Sequence, residues 1–289
     1  MIYLFTAMYS EAHLLIRQYE LKKETDQTHF QVFSNESRNM RLTITGTGMI
    51  AAAAAVSVVC TKYPPQDYDF LINIGICAGR SSQREPFLCN KITEQTTGKT
   101  FYPDMLYRHP FFEAQIITGA KPFQKEDLKQ SREICLYDME ASAIYQSGSY
   151  FFGPHQMFFL KLISDSGNFE HVAPKQIQSQ IAANSNKLAA FLEQLNQIHN
   201  TVAKITAKCQ PCQSTMRSVY VDDITDTLCQ DLHCSNVMEA SLRQHIRYCI
   251  LSGINYRKVI YDMYQEKKLP CRDKREGKLR FEELKKRLL

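Results

Sequence analysis

The chain has 289 residues, 44% of them apolar, and a formal net charge of +5. It is long enough to bury a sizeable core and to hold two domains, and its apolar content is ordinary for a globular protein. No secretory signal follows Met1, and no apolar run is long enough to span a bilayer, since Met157 to Ile163 is short and interrupted by Lys161. These features predict a cytoplasmic protein with no membrane partner, whose ten cysteines are reduced thiols. Cys60, Cys77 and Cys135 read as small core residues.

In chain order, Ile2 to Phe5 reads as a strand that runs into Thr6-Ala7-Met8-Tyr9-Ser10-Glu11. A helix through Ala12, Leu15, Ile16 and Tyr19 follows. Phe30 to Phe33 and Met40 to Thr45 read as further strands. Gly46-Thr47-Gly48, which suits a tight turn, leads into Met49-Ile50 and five alanines that favour a helix packed close to a sheet. Phe70 to Ile76 is almost wholly apolar, as a strand buried on both faces must be.

The section from Arg80 to Arg132 is less regular. Strands are expected at Phe87 to Ile92 and Ala114 to Thr118, separated by an aromatic-rich loop from Phe101 to Phe112 that reads as a pocket wall or a subunit interface. Met139 to Tyr145 is predicted helical, Gln156 to Ile163 a strand, and Pro174 to Ile198 one long helix with Leu188, Phe191, Leu192, Leu195 and Ile198 on its apolar face. The character changes after Ile198. The boundary is therefore set near His199, giving units 1–198 and 199–289, the second small, mainly helical, basic and cysteine-containing.

Three apolar segments end in carboxylates, at Glu11, at Asp138 with Glu140, and at Asp165. That pattern predicts an α/β sheet with its chemistry at the strand ends, in a small-molecule enzyme. Purely structural roles stay open: Glu11 as a first-turn acid, Glu140 and Asp165 as caps.

Four segments in order carry a resemblance: Ala7-Met8-Tyr9-Ser10-Glu11; Gly46-Thr47-Gly48; Asn73-Ile74-Gly75-Ile76-Cys77-Ala78-Gly79 with Asp138-Met139-Glu140-Ala141; and Ile163-Ser164-Asp165. Together they make the stretch from Met1 to Ile198 resemble the nucleoside phosphorylase superfamily, and more closely its methylthioadenosine/S-adenosylhomocysteine nucleosidase branch. The resemblance implies a three-layer fold, a central mixed sheet flanked by helices. It also implies hydrolysis of the N-glycosidic bond of a 5′-modified adenosine, whether methylthioadenosine, S-adenosylhomocysteine or 5′-deoxyadenosine, without a cofactor. By the same resemblance Asp165 assists protonation of the purine, Ser164 orients Asp165, and Glu11 activates water. Glu140 then holds the ribose hydroxyls and Met139 packs against the sugar. Met8, Gly75, Ile76, Phe123 and Asp138 complete the expected substrate-binding set, with Phe123 a stacking platform for adenine.

The chemistry stands independently, because cleaving this bond builds positive charge on the sugar and negative charge on the base, which two differently placed acids relieve. Ile76 occupies a place where the family usually carries Ser or Thr, and the early segment lacks an arginine, so phosphorolysis is the alternative and hydrolysis the expectation. The apolar loop favours a small apolar 5′ group. Relatives of this kind are dimers, and by resemblance Tyr102, Tyr107 and His109 form the wall lent to a partner.

In the final third, Cys209, Cys212, Cys229 and Cys234 offer a zinc alternative, but free thiols in a helical unit are the expectation and no metal is assigned. Phe281, Leu284 and Leu288 share the apolar face of a terminal helix. Basic residues outnumber acids after Arg257, which keeps a second alternative in view, a non-catalytic nucleoside-binding or nucleic-acid-associated protein.

Overall fold

Strand β1 (Ile2–Thr6) sends Ile2 and Leu4 into one buried cluster and Tyr3 and Phe5 into another. This is the period-two geometry of a strand covered on both faces. The same alternation recurs in β5 (Phe70–Gly79), where Ile72 and Ile74 oppose Leu71, and in β10 (Met157–Asp165), where Phe158, Leu160 and Leu162 oppose Phe159 and Ile163. On the first face lie α1 (Tyr9–Gln18), α4 (Pro174–Ala183) and α5 (Ser185–Lys208), through Leu15, Ile177, Ile181, Phe191 and Leu195. On the second lie α2 (Met49–Lys62) and α3 (Ala141–Gly148), through Ala52, Val56, Val59, Ala143 and Ile144. The result is three layers, helices on both sides of a mixed sheet.

The computed structural model describes residues 1–25, 28–81, 83–126, 134–167, 172–208, 225–252 and 254–288. The other strands are β2 (Lys22–Lys23), β3 (Gln31–Asn35), β4 (Met40–Ile44), β6 (Phe87–Glu94), β7 (Thr100–Phe101), β8 (Phe112–Thr118) and β9 (Cys135–Asp138). They run in the order β10, β6, β8, β9, β5, β1, β4, β3, β2, and β10 also pairs with β5. Five strands, β5, β10, β6, β8 and β9, therefore close into a ring, from which β1 to β2 extends as an open wing. β5 runs parallel to β1 and to β10. Their carboxyl ends share one edge of the sheet, where α/β folds bind ligands. β9 arrives at that edge from the opposite direction, with Tyr137 beside Ala78.

Some boundaries differ from the sequence reading. The single helix expected over Pro174 to Ile198 is two, broken at Asn184, whose side-chain amide donates to the carbonyls of Arg84 and Gln180. The helix expected from Met139 begins at Ala141, with Glu140 at its N-cap. The two compact units are Met1–Ala207 and Lys208–Leu289, so α5 runs straight through the expected boundary at His199. The reason is local: His199 is buried and pairs with Asp69 and the Tyr68 carbonyl, which ties this part of α5 to the sheet unit.

The second unit is helical over 225–231 (α6), Asn236–Leu251 (α7), Tyr256–Gln265 (α8) and Lys274–Leu288 (α9). Leu228, Leu242, Ile246, Met263, Phe281, Leu284 and Leu288 form its own core, which includes the expected apolar face of the terminal helix. Much of its charge is internally paired on the surface: Arg287 forks onto Glu266 at 2.9 and 2.7 Å, and Lys268 lies 2.6 Å from Glu283. Among the described residues no helix is long and apolar enough to cross a membrane.

Candidate active site

At the shared strand edge a cavity of about 180 Å³ is lined by residues from distant parts of the chain. Glu11, Glu140 and Asp165 all border it, as do Met8, Ile76, Phe123, Asp138, Met139 and Ser164.

Glu11 stands in the first turn of α1, almost fully buried. One carboxylate oxygen accepts from the backbone N–H groups of Ala7 and Met8 at 2.8 and 2.9 Å, and the other accepts from Ile76 at 2.8 Å. The residue thus caps its own helix, as a first-turn acid does, and also ties β1 to β5. Gly75 makes room for it, since a Cβ there would lie 2.9 Å from the Glu11 Oε1. Burial pushes the Glu11 carboxyl above its ordinary value, while the three N–H donors and Lys161 pull the other way.

Glu140 is held by the glycine turn. Gly46 and Gly48 both adopt positive φ, and the Gly48 N–H at the start of α2 donates to Glu140 Oε1 at 2.7 Å. Burial, and after it the charge of Asp138, raises the Glu140 carboxyl to about 7. Asp138 closes β9 and sits deeper. It accepts from the Thr118 hydroxyl at 2.7 Å and the Ala141 N–H at 2.9 Å, and the Lys161 ammonium lies 2.8 Å from its Oδ2. Burial opposes the charge on Lys161, but Asp138, Glu140 and Glu11 outweigh it and raise its pKa. In the sequence Lys161 is legible only as a break in an apolar run. Its strand position gave the sole available clue, a charge where alternation calls for an apolar side chain.

Asp165 closes β10, where the pairing with β5 shifts register between Ile163 and Asp165. Its Oδ2 accepts from the Ser164 hydroxyl at 2.7 Å and its Oδ1 from the Gly167 N–H at 2.8 Å. Gly167 has φ +91, and a Cβ on it would strike the backbone of Gln124 and Lys125. The turn that anchors Asp165 and the segment that carries Phe123 therefore pack backbone to backbone. Phe123 is buried, its ring 4.8 Å from that of Tyr137.

Three residues expected at a partner wall do not border this cavity within the chain. Tyr102 is exposed, Tyr107 packs its ring on Phe70 and Phe158, and His109 lies 3.6 Å from Glu113 and stacks on Phe111. In the second unit Cys229 and Cys234 pack at the edge of the helical core, while Cys209 and Cys212 lie outside the described residues. No group of three or more His, Cys, Asp or Glu side chains suited to a metal occurs among the described residues.

No family model matches the sequence. No curated protein matches it either. Solved structures do. A methylthioadenosine/S-adenosylhomocysteine nucleosidase from Neisseria meningitidis, in complex with methylthio-immucillin-A, superposes with a TM-score of 0.52 at 18% identity, over 66% of this chain and 97% of that one. The Streptococcus pneumoniae enzyme with 8-aminoadenine gives 0.56 at 16% identity, over 66% and 98%. The enzyme from Colwellia psychrerythraea with adenine gives 0.54 at 16%, over 68% and 93%. At such identities the likeness establishes the fold alone, a fold this chain shares with these nucleosidases.

Proposed function

We propose that this chain, which has the fold of the methylthioadenosine/S-adenosylhomocysteine nucleosidases, hydrolyses the N-glycosidic bond of a 5′-modified adenosine and releases adenine. One observation carries the reading: Glu11, Glu140 and Asp165, far apart in sequence, border a single cavity. In this reading Asp165, oriented by Ser164, delivers a proton to the departing purine as the C1′–N9 bond breaks. Glu11 takes a proton from the attacking water, whose oxygen forms the new bond to C1′. Glu140 holds the ribose hydroxyls, Met139 packs on the sugar, and Phe123 covers the face of the base. Positive charge developing on the ribose meets the buried carboxylates of Glu11 and Glu140, whose surroundings screen charge less than bulk water does.

Water is favoured over phosphate as the nucleophile by the lining itself. It contains no arginine or lysine among the described residues, and Ile76 offers an anion no side-chain donor. Lys161 is already engaged by Asp138. Carboxylates on several sides repel a phosphate. The same lining offers no basic partner for the carboxylate of a homocysteine tail, so methylthioadenosine and 5′-deoxyadenosine rank ahead of S-adenosylhomocysteine.

The deciding experiment incubates the purified protein with these nucleosides, with and without phosphate, and identifies both products. Adenine with a free 5′-modified ribose is the expected pair. A ribose 1-phosphate formed only with phosphate identifies a phosphorylase, and no turnover with any nucleoside ends the enzymatic reading.

A further inference from the structure

Lys161 has no part in the reaction just described, yet it occupies one of the most demanding positions in the molecule. It lies midway along β10, opposite Gly75 on β5 and Phe87 on β6. Its neighbours of the same parity, Phe159 and Ile163, belong to the apolar cluster covered by α2 and α3. An apolar side chain is expected there by alternation, and a lysine only 1% exposed takes its place. Its ammonium contacts Asp138, whose carboxylate also accepts from Thr118 and Ala141.

A buried ion pair seldom stabilises a fold better than packed apolar side chains of similar volume. Stability alone therefore gives no reason for this pair. Its effect on its surroundings does. Lys161 pairs with Asp138, two residues before Glu140 at the N-cap of α3, and stands opposite Gly75, against whose Cβ position the Glu11 carboxylate packs, so the charges of all three carboxylates act on it. The Cys77 thiol on β5 and the Cys89 thiol on β6 also lie in its field, and Asp165 at the end of β10 acts on Cys77.

We propose that Lys161 is a positioning residue: fixed by Asp138, its ammonium sets the pH at which Glu11 and Glu140 both carry charge, and so the pH at which the site works. Burial raises both carboxyls, Asp138 adds to the rise of Glu140, and Lys161 pulls both back down. Lys161 and Asp138 thus act on Glu140 with opposite sign, although they form one ion pair. The titration follows from this geometry; its effect on turnover rests on the proposed nucleosidase activity.

Carbon-13 NMR of protein labelled at the glutamate carboxyl carbons, assigned with E11Q and E140Q, reads the titration without any turnover. K161M is expected to move the Glu140 titration up by about 1–3 pH units, the range for loss of a close opposite charge. K161R keeps it near the wild-type position, and D138N moves it down. The rising limb of adenine release against pH follows the same pattern, which a merely structural lysine does not produce. Titrations that stay in place, or that move the same way in K161M and D138N, overturn the assignment. If K161M does not fold, D138N decides: a Glu140 titration that falls supports the role, and one that stays or rises overturns it. Opposite NMR shifts without adenine release uphold the role of Lys161 and sink the nucleosidase reading; adenine release with unmoved titrations does the reverse.

Discussion

The two units of this chain use charge in opposite ways. In Met1–Ala207, Glu11, Asp138, Glu140 and Lys161 are buried together and are held by backbone N–H groups, a threonine hydroxyl and one another. In Lys208–Leu289, Glu266, Lys268, Glu283 and Arg287 form a network at the surface, and the core beneath it is apolar. Exposed pairs cost little and stabilise little, because solvent screens them. Buried ionisable groups are expensive, and their pKa values move. The contrast therefore says where to look first for chemistry: at the displaced carboxyls of the cavity rather than at the paired charges of the helical surface.

Substitution at the acid rim tests that contrast most severely. Asp165→Asn is expected to cut adenine release by roughly 10²–10⁴-fold, the usual value of a positioned proton transfer, while the melting temperature stays unchanged. A variant that keeps its activity would remove Asp165 from the mechanism. Gly75→Ala comes next. Its new methyl group crowds the Glu11 Oε1, so a loss of about 1–3 kcal/mol in denaturant unfolding is expected, together with lower activity.

A smaller effect concerns pH. The folded chain holds the Glu140 carboxyl at about 7, above the ordinary glutamate value of about 4.3 in the unfolded chain. Between these values the folded state binds more protons. This contribution to stability is fully present below about pH 4.3 and is lost as pH rises through about 7. Melting curves on either side of neutrality should accordingly show a steeper fall for the wild type than for Glu140→Gln. Equal slopes would mean that this carboxyl is not displaced. Smallest of all is Arg287→Ala, which breaks the fork onto Glu266 in the screened network. Its melting temperature should barely move and should respond to salt no more than the wild type does. A large drop there would erase the distinction between the two units.

Much of this architecture is legible in the chain itself. The alternation of Ile2 and Leu4 with Tyr3 and Phe5, and the unbroken apolar run of Phe70 to Ile76, announce strands buried on both faces. Glu11, Glu140 and Asp165 could be singled out because each follows an apolar segment; parallel β1 and β10 deliver Glu11 and Asp165 to one edge, and antiparallel β9 brings Glu140 there from the other side. What depends on pairing between distant strands was hidden. Asp138 and Lys161 meet only because β9 and β10 both border β5, and neither residue announces the other. The break at Asn184 carries no glycine or proline to mark it, and its cause is a hydrogen bond to Arg84 on a remote loop. The surroundings of the aromatic loop were hidden for a related reason. Composition shows that Tyr107 must be sheltered, but not that Phe70 and Phe158 are what shelter it.

The packing of Gly167 on Gln124 and Lys125 bears on how such a site can change its preferences. The turn that anchors Asp165 and the segment that presents Phe123 touch through main chain, with no side chain between them to trim or enlarge. Under the proposed reading, any change that moves the main chain beside Phe123 therefore also disturbs the turn that holds Asp165. New preferences are more readily gained at Met8 and Ile76, which line the same cavity with side chains that a single codon can exchange.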